Sequence, residues 1–257
     1  MIFLIVANGP FLSKAIIAEL ATQADTVIAL DGAADKLAQL GIMPHAIIGD
    51  FDSVDKTYWG IEKTLHDHPN KDKNKDSAQP FYMGNHNVKI ILSTSQYATD
   101  LEKGIKFADD SGAVIINIVC ATGGRMDHSL GNIRFLRKHF KSNRLMRIYT
   151  ESQVLEYAKD QEVIIQGNIG DQCGIMAFPK ATMTTRGLKY DTNIETENDS
   201  FDLELGFSES ISNELSSNTA TIKIQGEALI IHPAPYAPIF YPPDHPATSS
   251  TADQNPD

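Results

Sequence analysis

The octapeptide IIGDFDSV, residues 47–54, places two carboxylates where a hydrophobic strand ends. Two isoleucines typical of a buried strand run into a glycine, and Asp50 and Asp52 follow, one residue apart. In an extended segment, residues two apart point the same way, so both carboxylates are expected to face one point. Two such charges repel unless a cation or a shared proton lies between them, and Mg²⁺ is commonly held by one or two carboxylates. The pattern favours a magnesium site; the alternative interpretation is an Asp-rich turn.

The same arrangement recurs along the first half of the chain, where short apolar runs alternate with helical patterns. The runs are IFLIVA (2–7), TVIAL (26–30), HAIIG (45–49), VKIILS (88–93) and AVIINIVCA (113–121). Nearly continuous apolar strands alternating with helices are typical of a mostly parallel sheet that is covered on both faces.

Polar residues follow these runs, at positions that an open parallel sheet would bring to one crevice. They are Asn8-Gly9, Asp31-Gly32, the pair Asp50 and Asp52, Thr99-Asp100, and the segment 123–127. Taken singly, Asp31 could cap a helix and Asp100 could be a first-turn residue favoured by the helix dipole. Thr99 and Glu102 have the spacing of a helix capping box, which predicts Thr99 as the cap of the helix that follows. Their shared position at strand ends favours a ligand site.

Gly123, Gly124 and Arg125 have the composition of a phosphate site. Glycines at a strand-to-helix turn allow close backbone approach, the helix N-terminus offers free N–H groups, and arginine binds anionic oxygens with two hydrogen bonds. The chain contains neither a Walker GxxxxGK[ST] nor a GxGxxG motif, so a standard P-loop or dinucleotide site is not indicated.

After about residue 144 the pattern changes to short apolar runs separated by turn residues, which favours antiparallel strands. We therefore predict an α/β fold in which an N-terminal, mostly parallel-sheet nucleotide domain (1–143) precedes a C-terminal antiparallel β-sandwich domain (144–232). The Pro-rich tail, 233–257, is expected to be partly disordered. The polar segment 66–87, which contains His66 and His68, is expected to be a solvated loop.

Composition narrows the class of protein further. A formal net charge of −11 over 257 residues argues against nucleic acid as a partner, since such surfaces rely on clustered Lys and Arg. The two cysteines lie far apart and lack zinc spacing, and the apolar N-terminus is too short to span a membrane. We expect a cytoplasmic protein with no membrane or nucleic-acid partner.

Six motifs together resemble those of the thiamine pyrophosphokinases, enzymes that transfer a diphosphate from ATP to thiamine. They are LDGAADKL, IIGDFDSV, ATDLEKGI, TGGRMDHSLGNI, RGLKYD and SISNEL, in that order, and the resemblance covers about residues 1–232. It implies a homodimer, with ATP and Mg²⁺ bound by the α/β domain and thiamine bound near the dimer interface.

The resemblance also implies roles for individual residues. Asp50, Asp52 and Asp100 would be metal and catalytic carboxylates, and Asp127 would be catalytic, with Asp100 or Asp127 as the base. The ATP site would comprise Asp31, Gly32, Gln96, Thr99, Gly123, Gly124 and Arg125, and thiamine would contact Ser210, Ser212 and Asn213. Tyr97 departs from the pattern, because many bacterial members have an acid there. The alternatives are a diphosphokinase for another hydroxymethyl heterocycle, such as a pterin, and a non-catalytic nucleotide or thiamine sensor.

Overall fold

The first half of the chain alternates strands with helices, as its apolar runs predict. The computed structural model describes residues 1–62, 82–95, 97–192 and 200–234. The strands are β1 (Ile2–Val6), β2 (Thr26–Leu30), β3 (Ala46–Gly49), β4 (Tyr82–Met83), β5 (Lys89–Leu92), β6 (Ile115–Val119) and β7 (Leu145–Tyr149). The helices are α1 (Lys14–Gln23), α2 (Ala33–Gln39), α3 (Lys56–Trp59), α4 (Asp100–Asp110) and α5 (Met126–Lys138), with a 3₁₀ turn at Asn85–Asn87.

Six of these strands form a parallel sheet in the order β7-β6-β1-β2-β3-β5, and β4 adds an antiparallel edge beside β5. The chain winds from β1 towards β5 and then returns to the other side of β1 at β6. The carboxyl ends of β1 and β6 therefore diverge at a topological switch point, where open α/β sheets bind ligands. Strand residues are buried on both faces of this sheet, which explains their nearly continuous hydrophobicity.

In the described part of the chain beyond β7, every strand pairs with antiparallel neighbours. These strands are β8 (Gln153–Lys159), β9 (Glu162–Gln166), β10 (Gln172–Arg186), β11 (Phe201–Glu204), β12 (Ser210–Glu214) and β13 (Thr219–Pro233). Their inward side chains enclose a separate apolar core that includes Ile175, Ile222 and Ile230. The predicted fold class is confirmed.

Two long strands replace four of the short strands expected from the sequence. β10 and β13 each have 15 residues, although Pro179 and Gly226 looked like breaks between separate strands. The pairing register of β10 with β13 shifts between Ala177 and Ala181. On the opposite strand, Gly226 has φ +94°, and a Cβ at this position would lie 2.7 Å from the Lys180 carbonyl oxygen. A bulge opposite a glycine therefore bends both strands without ending them.

One hydrogen-bonded sheet runs through both halves, because β7 pairs with β6 on one side and with β8 on the other. The antiparallel strands are therefore not a detached sheet. The division into domains at 143/144 stays a prediction, and β7, just beyond it, lies in the parallel sheet.

A buried ionic cluster lies where the parallel and antiparallel strands join. Arg147 of β7 donates from Nε to Oε2 of Glu156 on β8 at 2.8 Å, and Nε2 of His232 on β13 lies 3.7 Å from Glu156 Oε1. All three residues are buried. Burial alone would raise the pKa of the Glu156 carboxyl, but the Arg147 charge and the neighbouring His232 ring together lower it to about 2.

The expected solvated loop at 66–87 is partly ordered structure, since residues 82–87 form β4 and the 3₁₀ turn and Tyr82 packs against the core. His66, His68 and the tail beyond Ala234 lie outside the described residues. Among the described helices, none is long and apolar enough to cross a membrane.

Candidate functional site

A cleft of about 520 Å³ opens at the switch point, between the segments that follow β1 and β6. Asn8 and Gly9 lie on one side of it, and Thr122 lies on the other. Gly9 donates its N–H to the Cys120 carbonyl at 3.1 Å, and a Cβ at Gly9 would overlap that oxygen, so only glycine permits this approach. Of the residues predicted from the sequence, Asp50, Thr99, Asp100, Gly124 and Arg125 line the cleft.

Three carboxylates converge beside this cleft. Asp31, Asp50 and Asp52 each offer an oxygen, and these oxygens lie within 4.8 Å of one another. The convergence of Asp50 and Asp52 agrees with the sequence analysis, but the extended geometry assumed there was wrong. Phe51 has φ +62° and its side chain is fully buried, so a left-handed turn anchored by this ring orients the two carboxylates.

Asp31 is the most constrained member of the three. Its Oδ2 accepts a hydrogen bond from the Ser53 hydroxyl, which in turn accepts from Asn8 Nδ2 at 3.0 Å and from the Gly32 N–H at 3.3 Å. Its Oδ1 is buried without a hydrogen-bond partner in the described structure. Burial raises the pKa of Asp31, the Ser53 hydrogen bond opposes this, and the neighbouring Asp52 and Asp100 raise the pKa further. A divalent cation bound by the three carboxylates would relieve both the repulsion and the missing contact.

Asp100 is not a member of this tight group. It occupies the first turn of α4, where Thr99 Oγ1 accepts from the Glu102 N–H at 3.3 Å as the predicted cap. Lys103 Nζ donates to Asp100 Oδ1 at 2.9 Å and to the Ser93 carbonyl at 2.9 Å, and Lys103 lines the cleft. The sequence analysis missed Lys103, although its three-residue spacing from Asp100 on a helix was a usable signal.

Arg125 and Asp127 form an exposed pair at the start of α5. Arg125 donates from Nη2 to Asp127 Oδ2 at 2.6 Å and from Nε to Oδ1 at 3.2 Å. These hydrogen bonds hold the pKa of Asp127 below its ordinary value. Arg125 lines the cleft, whereas Asp127 is not among its described lining residues. Gln96 lies outside the described residues.

A second cleft, of about 480 Å³, lies in the antiparallel half. Ser210 and Asn213 line it, beside Tyr190 and Phe201. Ser212 does not line it, because its φ of +63° breaks the extended alternation that would have placed it beside Ser210. The structure therefore brings two of the three predicted thiamine-side residues together.

The Asn213 side chain has no free hydrogen-bonding capacity. Its Oδ1 accepts from the N–H groups of Tyr190 and Glu214, at 3.1 and 2.9 Å, and its Nδ2 donates to the Tyr190 carbonyl at 3.1 Å and to Ser210 Oγ at 3.2 Å. An amide offers two donors and two acceptor positions, so all four are used. Asn213 therefore fastens the Tyr190 segment to β12 and positions Ser210 in the cleft wall.

Comparison with known proteins agrees with this two-cleft arrangement. Residues 17–150 match the family profile described as "Thiamin pyrophosphokinase, catalytic domain", and residues 158–229 match "Thiamin pyrophosphokinase, vitamin B1 binding domain". The first cleft lies within or beside the first match, and the second cleft lies within the second.

Individual relatives carry the same description. The chain is 28% identical to a thiamine pyrophosphokinase of Bacillus subtilis over 234 residues, covering 88% of this chain and 95% of that protein. It is 31% identical to thiamine pyrophosphokinase 3 of rice over 141 residues, covering 49% of this chain and 52% of that protein.

Solved structures show the same fold. The crystal structure of the Bacillus subtilis thiamine pyrophosphokinase superimposes with a TM-score of 0.69 at 24% identity, covering 91% of this chain and 99% of that one. The Candida albicans enzyme gives a TM-score of 0.67 at 16% identity, covering 91% and 89%. Because the catalytic-domain profile alone spans more than half of the sequence, the chain belongs to the thiamin pyrophosphokinase family.

Proposed function

We propose that this protein transfers the terminal diphosphate of ATP to the hydroxyl of thiamine, giving thiamine diphosphate and AMP. The observation that carries the proposal is the convergence of Asp31, Asp50 and Asp52 beside a cleft at the switch point of the sheet. Membership of the thiamin pyrophosphokinase family supports thiamine as the acceptor and ATP as the donor.

The three carboxylates fit a hard divalent cation, because all their donor atoms are oxygens and the buried Asp31 Oδ1 lacks a partner. We assign Mg²⁺ to this position, with Asp100 as a further carboxylate nearby. When bound, Mg²⁺ would neutralise the negative charge of the triphosphate and of the transition state.

Other residues of the α/β half position the nucleotide. We assign Gly32, Gln96, Thr99, Gly123 and Gly124 to the ATP site, with Arg125 at the mouth of the cleft facing anionic oxygens. Lys103, fixed by Asp100 and the Ser93 carbonyl, adds a positive charge to the cleft wall. Diphosphoryl transfer depends mainly on such positioning and charge neutralisation.

In the reaction, the thiamine hydroxyl oxygen bonds to the β-phosphorus, the bond from that phosphorus to the α,β-bridging oxygen breaks, and AMP leaves with the bridging oxygen. The hydroxyl proton passes to a carboxylate. Asp100 is the better placed of the two candidates, because it lines the cleft, whereas Asp127 is not among the described lining residues.

We place thiamine in the second cleft, in contact with Ser210. Asn213 holds Ser210 in position, and Ser212 lies outside the direct contacts. The α/β half would thus bind ATP and the antiparallel half thiamine, in keeping with a division near residue 143. A homodimer would allow the ATP cleft of one subunit to meet the thiamine cleft of the other.

The test is to incubate the purified protein with ATP, Mg²⁺ and thiamine and to separate the products. We expect thiamine diphosphate and AMP in equal amounts. Thiamine monophosphate with ADP would contradict diphosphoryl transfer, and turnover of a hydroxymethylpterin alone would assign a different acceptor. Binding of both ligands without any product would indicate a sensor.

A further inference from the structure

The second cleft is acidic, in contrast to the first. Of its described lining residues, the charged ones are Asp191 and Glu209, and neither Lys nor Arg is among them. The first cleft contains Lys103 and Arg125 beside its carboxylates. The second cleft is therefore electrostatically suited to a cation and unsuited to phosphate groups.

The two acidic residues of this cleft differ in what they already bind. Asp191 accepts hydrogen bonds from Thr185 Oγ1 at 2.8 Å and from the N–H groups of Gly187 and Leu188 at 2.9 and 3.1 Å. It closes the turn after β10 and has a structural role. Glu209 Oε1, by contrast, is buried and has no hydrogen-bond partner in the part of the chain that the structure describes.

Glu209 is held in place by its neighbours in sequence. On its N-terminal side, a tight turn is closed by hydrogen bonds between Glu204 and Ser208, including two at 2.9 Å. On its C-terminal side, Ser210 begins β12 and pairs with β10. Ligand binding therefore has to order only the Glu209 side chain and not the backbone that carries it.

Aromatic side chains flank this carboxylate. Tyr190 and Phe201 line the same cleft and are exposed by 64% and 44%. Aromatic faces attract cations and stack on flat heterocycles. An unpaired carboxylate oxygen beside two exposed rings is a suitable site for a positively charged aromatic ring.

We propose that Glu209 is the anionic partner that selects a cationic heteroaromatic alcohol over a neutral one in this cleft. The inference rests on the proposed function, in which the acceptor is thiamine with its permanently charged thiazolium ring. Glu209 contacts the positive charge, and the uncharged cleft residue Ser210 serves as a polar contact. A neutral heterocycle of the same shape would leave the carboxylate oxygen buried and unpaired.

The test compares two ligands by calorimetry in the presence of Mg²⁺ and a non-hydrolysable ATP analogue. One ligand is thiamine, and the other is its neutral isostere in which the thiazolium nitrogen is replaced by carbon. The variant is Glu209→Gln, and the matched control is Glu204→Gln, which removes the same charge from a nearby carboxylate that pairs with Lys180 and does not line the cleft.

We expect Glu209→Gln to weaken thiamine binding about tenfold, as for the loss of one close contact between opposite charges, and to change binding of the isostere less than about twofold. In steady-state assays the KM for thiamine should rise while the KM for ATP stays unchanged. Glu204→Gln should affect neither ligand. Circular dichroism and melting curves verify that both variants are folded.

The outcomes separate this inference from the proposed function. If the wild type forms thiamine diphosphate but Glu209→Gln binds thiamine normally, or loses both ligands equally, the inference is wrong and the function stands. If the wild type forms no product but thiamine alone loses affinity in Glu209→Gln, the inference stands and the function is wrong. Absence of thiamine binding to the wild type would overturn both.

Discussion

At the scale of single residues, Asp31 links three strand ends. Through the Ser53 hydroxyl it is connected to Asn8 after β1 and to the turn after β3, while its other oxygen stays unpaired. Burial and two neighbouring carboxylates raise the pKa of Asp31. A bound cation would remove the repulsion among these carboxylates.

Replacing Asp50 or Asp52 with Asn should remove one negative charge and preserve side-chain shape. We expect turnover at saturating ATP and thiamine to fall by about 10²-fold or more, because a carboxylate ligand of the cation is lost. Stability should not fall, since repulsion within the site decreases. Mg²⁺-dependent assays and melting curves measure both effects.

Asp110→Asn is the matched control, because Asp110 is exposed at the end of α4, away from the cleft. Near-normal turnover in both Asp50→Asn and Asp52→Asn would contradict the metal assignment.

Lys103 offers a second test at this scale. Lys103→Met keeps the aliphatic length but leaves Asp100 without its ammonium partner, so turnover should fall by about tenfold or more. Lys103→Arg should restore part of the loss, since the charge is kept but the geometry differs. Equal turnover of Lys103→Met and the wild type, measured at several ATP concentrations, would exclude a role in the cleft.

At the scale of elements, turns and strand ends hold the binding groups while the strands stay apolar. β12 and the turn after β10 are joined by the Asn213 side chain, which uses all its donors and acceptors within the protein. The cleft between these elements therefore depends on a buried amide that itself need not touch the ligand.

Asn213→Ala should lower the free energy of unfolding by about 1–3 kcal/mol, because the backbone N–H and carbonyl of Tyr190 lose the buried amide to which they hydrogen-bond. Ser212→Ala, at an exposed position, should change it little. Urea unfolding of the two variants measures the difference. If Asn213→Ala raised the KM for thiamine without any loss of stability, direct ligand contact would be the better explanation.

The cluster at the junction of β7, β8 and β13 predicts a pH dependence. Because the pKa of Glu156 is lowered from 4.5 to about 2 in the folded state, its stabilising contribution is complete above the unfolded-state pKa and is lost as pH falls from about 4.5 through about 2. Glu156→Gln should abolish that part of the acid sensitivity.

At pH 7, Glu156→Gln should also destabilise the protein by about 3–5 kcal/mol, because Arg147 is left as a buried unpaired charge. Unfolding free energies measured from pH 7 down to the acid limit of folding test both statements. Parallel pH profiles for the variant and the wild type would show that the carboxylate does not titrate in this way.

The elements were predictable from sequence where one local pattern dominated. Alternating apolar runs and helical patterns give the parallel strands, and Thr99 gives the cap of α4. The full lengths of β10 and β13 could not be predicted, because Pro179 and Gly226 end strands in most contexts and are tolerated here only by a bulge with its facing glycine.

The site was predictable in composition but not in geometry. The strand ends correctly indicated where carboxylates would gather. Which three come together depends on the left-handed backbone at Phe51 and on the pairing of Asp100 with Lys103, and both arise from tertiary packing. The hydrogen bonds that occupy every donor and acceptor of the Asn213 side chain also arise from tertiary packing and could not be predicted.

At the scale of the whole molecule, the two clefts lie in different halves of one continuous sheet. A reaction that needs both clefts must bring an ATP site and a thiamine site within bonding distance. A second copy of the chain is the simplest way to do so, since a two-fold axis creates two equivalent composite sites.

Mixing two inactive variants tests this arrangement. Asp50→Asn disables the first cleft, and Ser210→Tyr fills the second. After subunit exchange, each mixed dimer should contain one intact and one doubly disabled composite site. Because random pairing makes about half of the dimers mixed, the mixture should regain about a quarter of the wild-type activity. Activity is compared with each variant alone, with exchange verified by mass-tagged subunits. No recovery despite exchange would place both clefts of a working site in one subunit.

The central position of β13 has a consequence for how the protein is made. β13 is the last strand of the described residues, yet it lies between β8 and β10 and also pairs with β9. On the ribosome, β1 to β7 can pair among themselves as soon as they emerge, whereas β8 and β10 must wait with open edges for a strand still to be translated. Nascent chains stalled before residue 219 should therefore resist protease up to β7 and be cleaved readily from β8 onward. The antiparallel half would then be completed only after the whole of β13 has left the exit tunnel.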